Sequence, residues 1–319
     1  MRERLAYLHL PKAAGTSIRS ALSSYYDHDE TVPWSFDRHL FGDFPGVTDI
    51  PQPVFLGDPS EFRGYRYMEG HWSLPSILAA FEPEDVACIL REPRARFLSQ
   101  YCYWRSWSDE AHDGWSPFTT SLLARGPLSD YAARSEAAAI IDNLATRLIL
   151  GPHGLIPADD HIAASDIDSV AAAACEQLDR IGHVDVIERG ESTYLALESW
   201  FGSPLSRVRL NETDLSAGLT IDIDDLLDRR TIALLNDRSA ADLQVWHHVV
   251  EQHGLDATAA RTLADTAYGT ALGKVAAAHP TAPPSQGPAA SPAETTRPHS
   301  APARLARLLR GPRMGRSDG

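Results

Sequence analysis

The sequence predicts a three-layer α/β fold, a central parallel sheet flanked by helices, with a structureless tail behind it. Three observations predict it. Short apolar runs at Leu5 to His9 and Val86 to Leu90 each lead into a helical pattern. Such strand-helix pairs recur along the chain instead of clustering, which is the order expected of parallel strands joined by crossovers. From about His279 the composition shifts to Pro, Ala and Ser, which cannot bury a core. The expected division is a body over residues 1–279 and a disordered tail over 280–319.

Taken in order, Leu5 to His9 is the first strand and Thr16 to Tyr26 the helix after it. A long connection rich in Asp, Pro and aromatic residues then runs to about Arg63. Tyr65 to Glu69 alternates as a second strand and delivers His71, after which Ser73 caps a short helix ending at Phe81. Val86 to Leu90 is continuously apolar, as in a buried strand, and Pro93 suits the first turn of a helix over Arg94 to Trp107. Residues 108 to 128, interrupted by Gly114, Pro117, Gly126 and Pro127, form a second long connection. Connections of this length usually wall a substrate cleft. An alanine-rich helix over Leu128 to Leu150 should end at Gly151-Pro152, and another helix covers residues 166 to 179. Ile181 to Ile187 reads as a strand, Thr193 to Trp200 as a helix with Gly202 beyond it, and Val208 to Leu210 as a last short strand. Asp224 to His253 and Ala257 to Ala278 read as helical. Within this region Asp242 and Trp246 read as packing residues.

Two segments carry the chemistry. The first strand ends in His9-Leu10-Pro11-Lys12-Ala13-Ala14-Gly15-Thr16-Ser17 and enters a helix, an arrangement suited to a phosphate. Gly15 allows close backbone approach, Thr16 and Ser17 bring hydroxyls and N–H groups to a helix N-terminus, and Lys12 adds a mobile charge. The order Gly-x-x-x-x-Gly-Lys-Ser/Thr is absent, because the lysine here precedes the glycine. In the second segment Arg91 stands at the carboxyl end of a strand and Ser99 about two helical turns later, with Arg94 and Arg96 between. A guanidinium and a hydroxyl so placed can converge on a second phosphate.

Pro11 to Ser17 resembles the 5′-phosphosulfate loop of sulfotransferases that use 3′-phosphoadenosine 5′-phosphosulfate (PAPS). Arg91-Glu92-Pro93 through Ser99-Gln100-Tyr101 resembles their 3′-phosphate motif. Gly70-His71 and Asp142-Asn143-Leu144-Ala145-Thr146-Arg147 are also similar, in matching order, to the carbohydrate-type group related to heparan sulfate 2-O- and 6-O-sulfotransferases (sulfotransferase family 2). The departure is Ala13-Ala14, where relatives often carry Thr-Gly or Gly-Gly; alanine is tolerated there if φ stays negative. The resemblance implies a P-loop-like fold, PAPS as donor, adenosine 3′,5′-bisphosphate (PAP) as product, and a carbohydrate or glycosylated small-molecule hydroxyl as acceptor. It implies that Lys12, Ala14, Gly15, Thr16 and Ser17 hold the 5′-phosphosulfate and Arg91 and Ser99 the 3′-phosphate.

The acceptor hydroxyl needs a base. His71, with an ordinary pKa near 6.5, suits proton abstraction near neutrality. Glu69 is its rival, and strand alternation puts the two on one face, so that one acts and the other orients it. Lys12 is expected to stabilise charge on the leaving phosphate. Trp72 is a candidate on the acceptor side, against the ordinary reading of a core tryptophan. Arg96 reads as an auxiliary phosphate contact or an exposed helix charge. Asn143 and Arg147, one turn apart, read as positioning residues or as a structural bridge.

Composition narrows the partners. The net charge is −14 over 319 residues, while residues 280–319 alone carry +4, which leaves −18 on the body. Such a field repels nucleic acid and heparin-like polyanions without forbidding a local basic cleft. No apolar stretch is long enough for stable membrane insertion, and the chain enters its first strand without a leader pattern, so a cytoplasmic location is expected. Cys88, Cys102 and Cys175 read as thiols, and His247, His248 and His253 lack a zinc motif, so no metal is expected. Nothing in the sequence bears on oligomeric state. Two rival readings are a P-loop kinase or NTPase, which calls for a Walker lysine and a Mg²⁺-binding aspartate after an apolar strand, and a non-catalytic nucleotide-binding protein of the same fold.

Overall fold

In a computed structural model of the protein, residues 1–13, 15–37, 54–107, 123–207 and 221–278 are described. Four strands, β1 (Leu5–Leu8), β4 (Tyr67–Gly70), β5 (Val86–Leu90) and β6 (His183–Val186), form one sheet in the order β4-β1-β5-β6. All of its pairings are parallel, with Tyr7 opposite Glu69 and Leu8 opposite Cys88. A small parallel pair, β2 (Phe36–Asp37) and β3 (Val54–Phe55), lies in the first long connection.

Alternation along the strands divides the core into two faces. Leu5, Tyr7, Tyr67, Ala87 and Ile89 pack with Ile18 and Leu22 of α1 (Gly15–Ser23) and with Leu197 and Phe201 of the helix Glu191–Phe201. Ala6, Leu8, Met68, Val86, Cys88 and Leu90 pack on the other side against α2 (Leu74–Leu78) and four later helices. A parallel sheet buried on both faces explains why Val86 to Leu90 reads as an unbroken apolar run. The long helix α3 (Pro93–Arg105) builds a further apolar cluster with the segments around Tyr131, Leu226 and Tyr268.

Two expected long helices are subdivided. Leu128 to Leu150 holds α4 (Leu128–Ala133), α5 (Ala138–Ile141) and α6 (Leu144–Leu150). The break is at Asn143, which sits in the left-handed region at φ +47° and donates its N–H to the Arg238 carbonyl at 2.7 Å. Gly151 after α6 has φ −68°, so it closes the helix without a left-handed turn. After α7 (Ile167–Leu178) and α8 (Glu191–Phe201), the region from Asp224 to His253 contains α9 (Ile223–Leu227), α10 (Arg229–Asp237) and α11 (Ala240–Gln252). Asp222 and Asp228 accept hydrogen bonds from the first N–H groups of α9 and α10 and so restart the helix each time. α12 spans Ala257–Ala278. Gly202, in the left-handed region at φ +82°, ends α8 as expected. The strand expected over Val208 to Leu210 and the tail after 279 lie outside the described residues, as does most of both long connections. All three cysteines are free thiols, two of them buried. Among the described residues no helix is long and apolar enough to cross a membrane.

Candidate functional site

β1 has β4 on one side and β5 on the other, so the chain changes winding direction around it. Ligand crevices in open parallel sheets lie outside the carboxyl ends of strands at such a point. Here those ends carry the residues just past Leu8, Gly70, Leu90 and Val186.

Lys12 follows β1 in the turn before α1. It is a non-glycine residue in the left-handed region at φ +66°, a conformation that costs free energy and is concentrated at functional sites. Arg91, at the end of β5, fixes it there by donating from Nη1 to the Lys12 carbonyl at 2.9 Å. The ammonium of Lys12 lies 4.1 Å from the centre of the Tyr103 ring on α3. Burial, and then the Arg91 charge, bring the Lys12 amine down to about 8. Burial likewise lowers the pKa of Arg91, against the opposing pull of Glu188 and Glu92. Glu188, just past β6, accepts from the Glu92 N–H at 2.9 Å and from Trp246 Nε1 at 3.2 Å, and burial raises its pKa. Glu92 in turn caps α3, accepting from the Ala95 N–H at 2.7 Å.

Gly15 begins α1, with Thr16 and Ser17 beside it in the first turn. A Cβ at Gly15 would stand 1.8 Å from Cδ2 of His9, so the imidazole occupies the space a side chain would need. Ala13 keeps a negative φ, and Ala14 lies outside the described residues. Ser99 is half-buried on α3, and its hydroxyl makes no hydrogen bond among the described residues.

His71 follows β4. Gly70 before it has φ +129°, and a Cβ there would lie 2.4 Å from the Ser35 carbonyl oxygen, so only glycine fits this turn. The His71 N–H donates to that same carbonyl at 2.8 Å. Its Nδ1 lies 2.8 Å from the carbonyl oxygen of His9, and the two imidazoles are 4.5 Å apart. A carbonyl only accepts, so Nδ1 carries the proton and Nε2 the lone pair. Burial holds the imidazole down at about 4, opposed by the His9 carbonyl and assisted by Arg19.

Glu69 is committed elsewhere. It pairs with Arg19 at 3.5 Å and accepts from the Tyr67 hydroxyl at 2.9 Å, while burial raises its pKa. It makes no hydrogen bond to His71, so the expected orienting carboxylate is replaced by the His9 carbonyl.

Several candidates stand apart from this patch. Trp72 is 0% exposed, packs on Phe55 and Phe62, and donates to the Glu69 carbonyl at 3.1 Å, so it is a core residue and not an acceptor-side platform. Arg96 is 2% exposed, in the field of Asp242 and Tyr131, so it is not an exposed helix charge; its Nε and Nη1 have no hydrogen-bond partner among the described residues. Asn143 Oδ1 accepts from the N–H groups of Ala241 and Asp242, and Asp242 accepts from those of Ala145 and Thr146. The two residues thus cap each other's helices. Arg147 donates to the Asp142 carboxylate and to the carbonyls of Asp142, Pro157 and Asp160. The side chains of Asn143 and Arg147 do not bridge each other among the described residues: Asn143 caps a helix and Arg147 takes Asp142 as its partner.

Lys12, Gly15, Arg91 and His71 form one connected patch, joined through a residue that motif reading passed over, His9. Its signal was positional: alternation places it on the Tyr7 face, toward α1. Tyr103 and Glu188 were also missed, since neither lies in a recognisable pattern. No family model matches the chain, and no curated protein matches it in sequence.

Proposed function

We propose that the protein is a PAPS-dependent sulfotransferase with a P-loop-like fold, acting in the cytoplasm on a hydroxyl of a carbohydrate or glycosylated small molecule. The observation that carries this reading is the Lys12–Arg91 unit at the ends of adjacent strands. Two cations share a partly desolvated site, Lys12 in a strained backbone conformation and with its affinity for protons lowered by burial and by the Arg91 charge. Such an arrangement is costly without an anion, and a multiply charged donor offsets the cost.

In this reading Lys12 and the first turn of α1, Gly15 to Ser17, hold the 5′-phosphosulfate, and Arg91 with Ser99 holds the 3′-phosphate. The acceptor proton passes to Nε2 of His71 as the acceptor oxygen bonds to sulfur. The bond from sulfur to the phosphate oxygen breaks, and the charge left on that oxygen meets Lys12 and the α1 amides. The chain's contribution is mainly alignment and charge stabilisation, as in phosphoryl transfer.

Calorimetric titration with PAP, with ATP as comparator and Arg91→Ala in parallel, tests the donor site. Micromolar PAP binding that requires Arg91, with ATP at least about tenfold weaker (roughly 1.4 kcal/mol), supports the reading. No PAP binding, or a preference for ATP with Mg²⁺, refutes it and favours a kinase or NTPase.

A further inference from the structure

The structure assigns His9 a positioning role: its carbonyl fixes the tautomer of His71, and its ring, wedged against Gly15, ties the orientation of His71 to the anion loop. The inference deepens the proposed function, since it matters for transfer only if His71 is the base.

The geometry gives His9 three contacts of different kinds. Its main chain continues β1, donating its N–H to the Gly70 carbonyl and accepting at its own carbonyl the Nδ1 proton of His71 at 2.8 Å. Its ring stacks on Tyr7 at 5.9 Å on one side and faces His71 at 4.5 Å. The same ring fills the volume above Gly15, where a Cβ would stand within 2.0 Å of both Cδ2 and Nε2. The residue is 6% exposed, and its Nδ1 has no hydrogen-bond partner. A buried imidazole whose Nδ1 is unpaired among the described residues and whose ring fills the space over Gly15 is read as acting chiefly by shape.

The consequence is mechanical. Side chains that touch in a close-packed region move together. Moving the ring of His9 displaces its carbonyl and the face against which His71 rests, and crowding from Gly15 moves the ring. The loop that receives the donor and the group that receives the proton therefore share one hinge point. The charged and titratable groups around this pair are Arg19 and Lys12, with Glu69 and Tyr7 behind them.

The test is long-range ¹H–¹⁵N NMR of the histidine side chains in the full chain, read from pH 3 to 8. Among the 13 histidines, His71 is identified by the signals lost in His71→Gln. The expected wild-type spectrum shows Nδ1 of His71 protonated and Nε2 unprotonated at neutral pH. His9→Phe keeps a planar ring and the carbonyl, so it should preserve that pattern and the low midpoint. His9→Ala empties the wedge, and Gly15→Ala crowds it; both should produce mixed tautomers and move the midpoint upward, toward 6.5. A proton on Nε2 in the wild type, or an unchanged His71 in folded His9→Ala, overturns the inference. Failure of His9→Phe to preserve the pattern overturns the shape argument. PAP titration of the same samples separates the two levels. If the spectra behave as expected but PAP does not bind, the positioning role stands and the donor reading falls.

Discussion

Removing Arg91 should change not only how tightly an anion binds but the pH at which binding fails. Arg91 acts twice in the proposed function: it would bind the 3′-phosphate, and it depresses the proton affinity of Lys12, whose amine lies at about 8. A protonated Lys12 attracts the donor phosphate, so its contribution is complete well below pH 8 and is lost as pH rises through that value. By linkage, wild-type PAP affinity should fall above pH 8 by up to about tenfold per pH unit. In Arg91→Ala one charged hydrogen-bonding group is gone, which costs roughly 1.5–3 kcal/mol, or about 10- to 150-fold in affinity at pH 7. Lys12 also loses a neighbouring positive charge, so the fall in affinity should begin at higher pH than in the wild type. Isothermal titration with PAP at half-unit intervals from pH 6.5 to 10 measures both effects. A uniformly weaker profile with the same midpoint would show that Arg91 does not act on Lys12. An unchanged affinity at pH 7 would refute the anion site itself.

Gly15→Ala should be destabilising by roughly 1–3 kcal/mol in urea unfolding, since the new Cβ meets His9; an ordinary helical glycine would instead gain up to about 1 kcal/mol from alanine. Asn143→Ala should lower stability by about 1–2 kcal/mol through loss of its cap on α11, with PAP affinity unchanged in the folded protein. His71→Ala should abolish sulfuryl transfer from PAPS while PAP binding survives; retained transfer would direct attention to Glu69. Stability should fall as pH drops from about 6.5 toward 4, because the unfolded chain takes up protons on His71 and His183 that the folded state, with both held at about 4, refuses. His71 alone accounts for roughly 3 kcal/mol by pH 4, and unfolding free energies flat across that range would contradict its burial as a neutral group.

The residues differ in how legible they were. Val86 to Leu90 was readable to the residue because a strand buried on both faces needs only apolar side chains, and the Pro after it marks the helix. Gly70 and Gly15 were readable as special positions, but the reasons are tertiary: the Ser35 carbonyl in one case and the His9 ring in the other. The break at Asn143 was not readable, because helix propensity favours continuation and the interruption depends on Arg238 and Asp242, nearly a hundred residues away. Trp72 and Arg147 show the limit of motif reading. Each has a chemistry suited to a ligand and a fold position that spends it on packing or on backbone carbonyls.

An imidazole held near 4 is a weak base, yet the geometry makes this a workable choice. At neutral pH the group is unprotonated, with its lone pair on Nε2, so no base has to be freed before transfer. What it lacks is proton affinity, and under the proposed function the anionic donor would supply that: negative charge placed nearby favours the imidazolium and raises the pKa toward that of free histidine. A permanent carboxylate partner would give the same help in the empty site and leave the group partly protonated there. Glu69 is instead paired with Arg19, and a neutral carbonyl from His9 does the orienting. If the proposed function holds, the base is thereby strengthened only when donor is bound, which would couple proton abstraction to the presence of the group to be transferred.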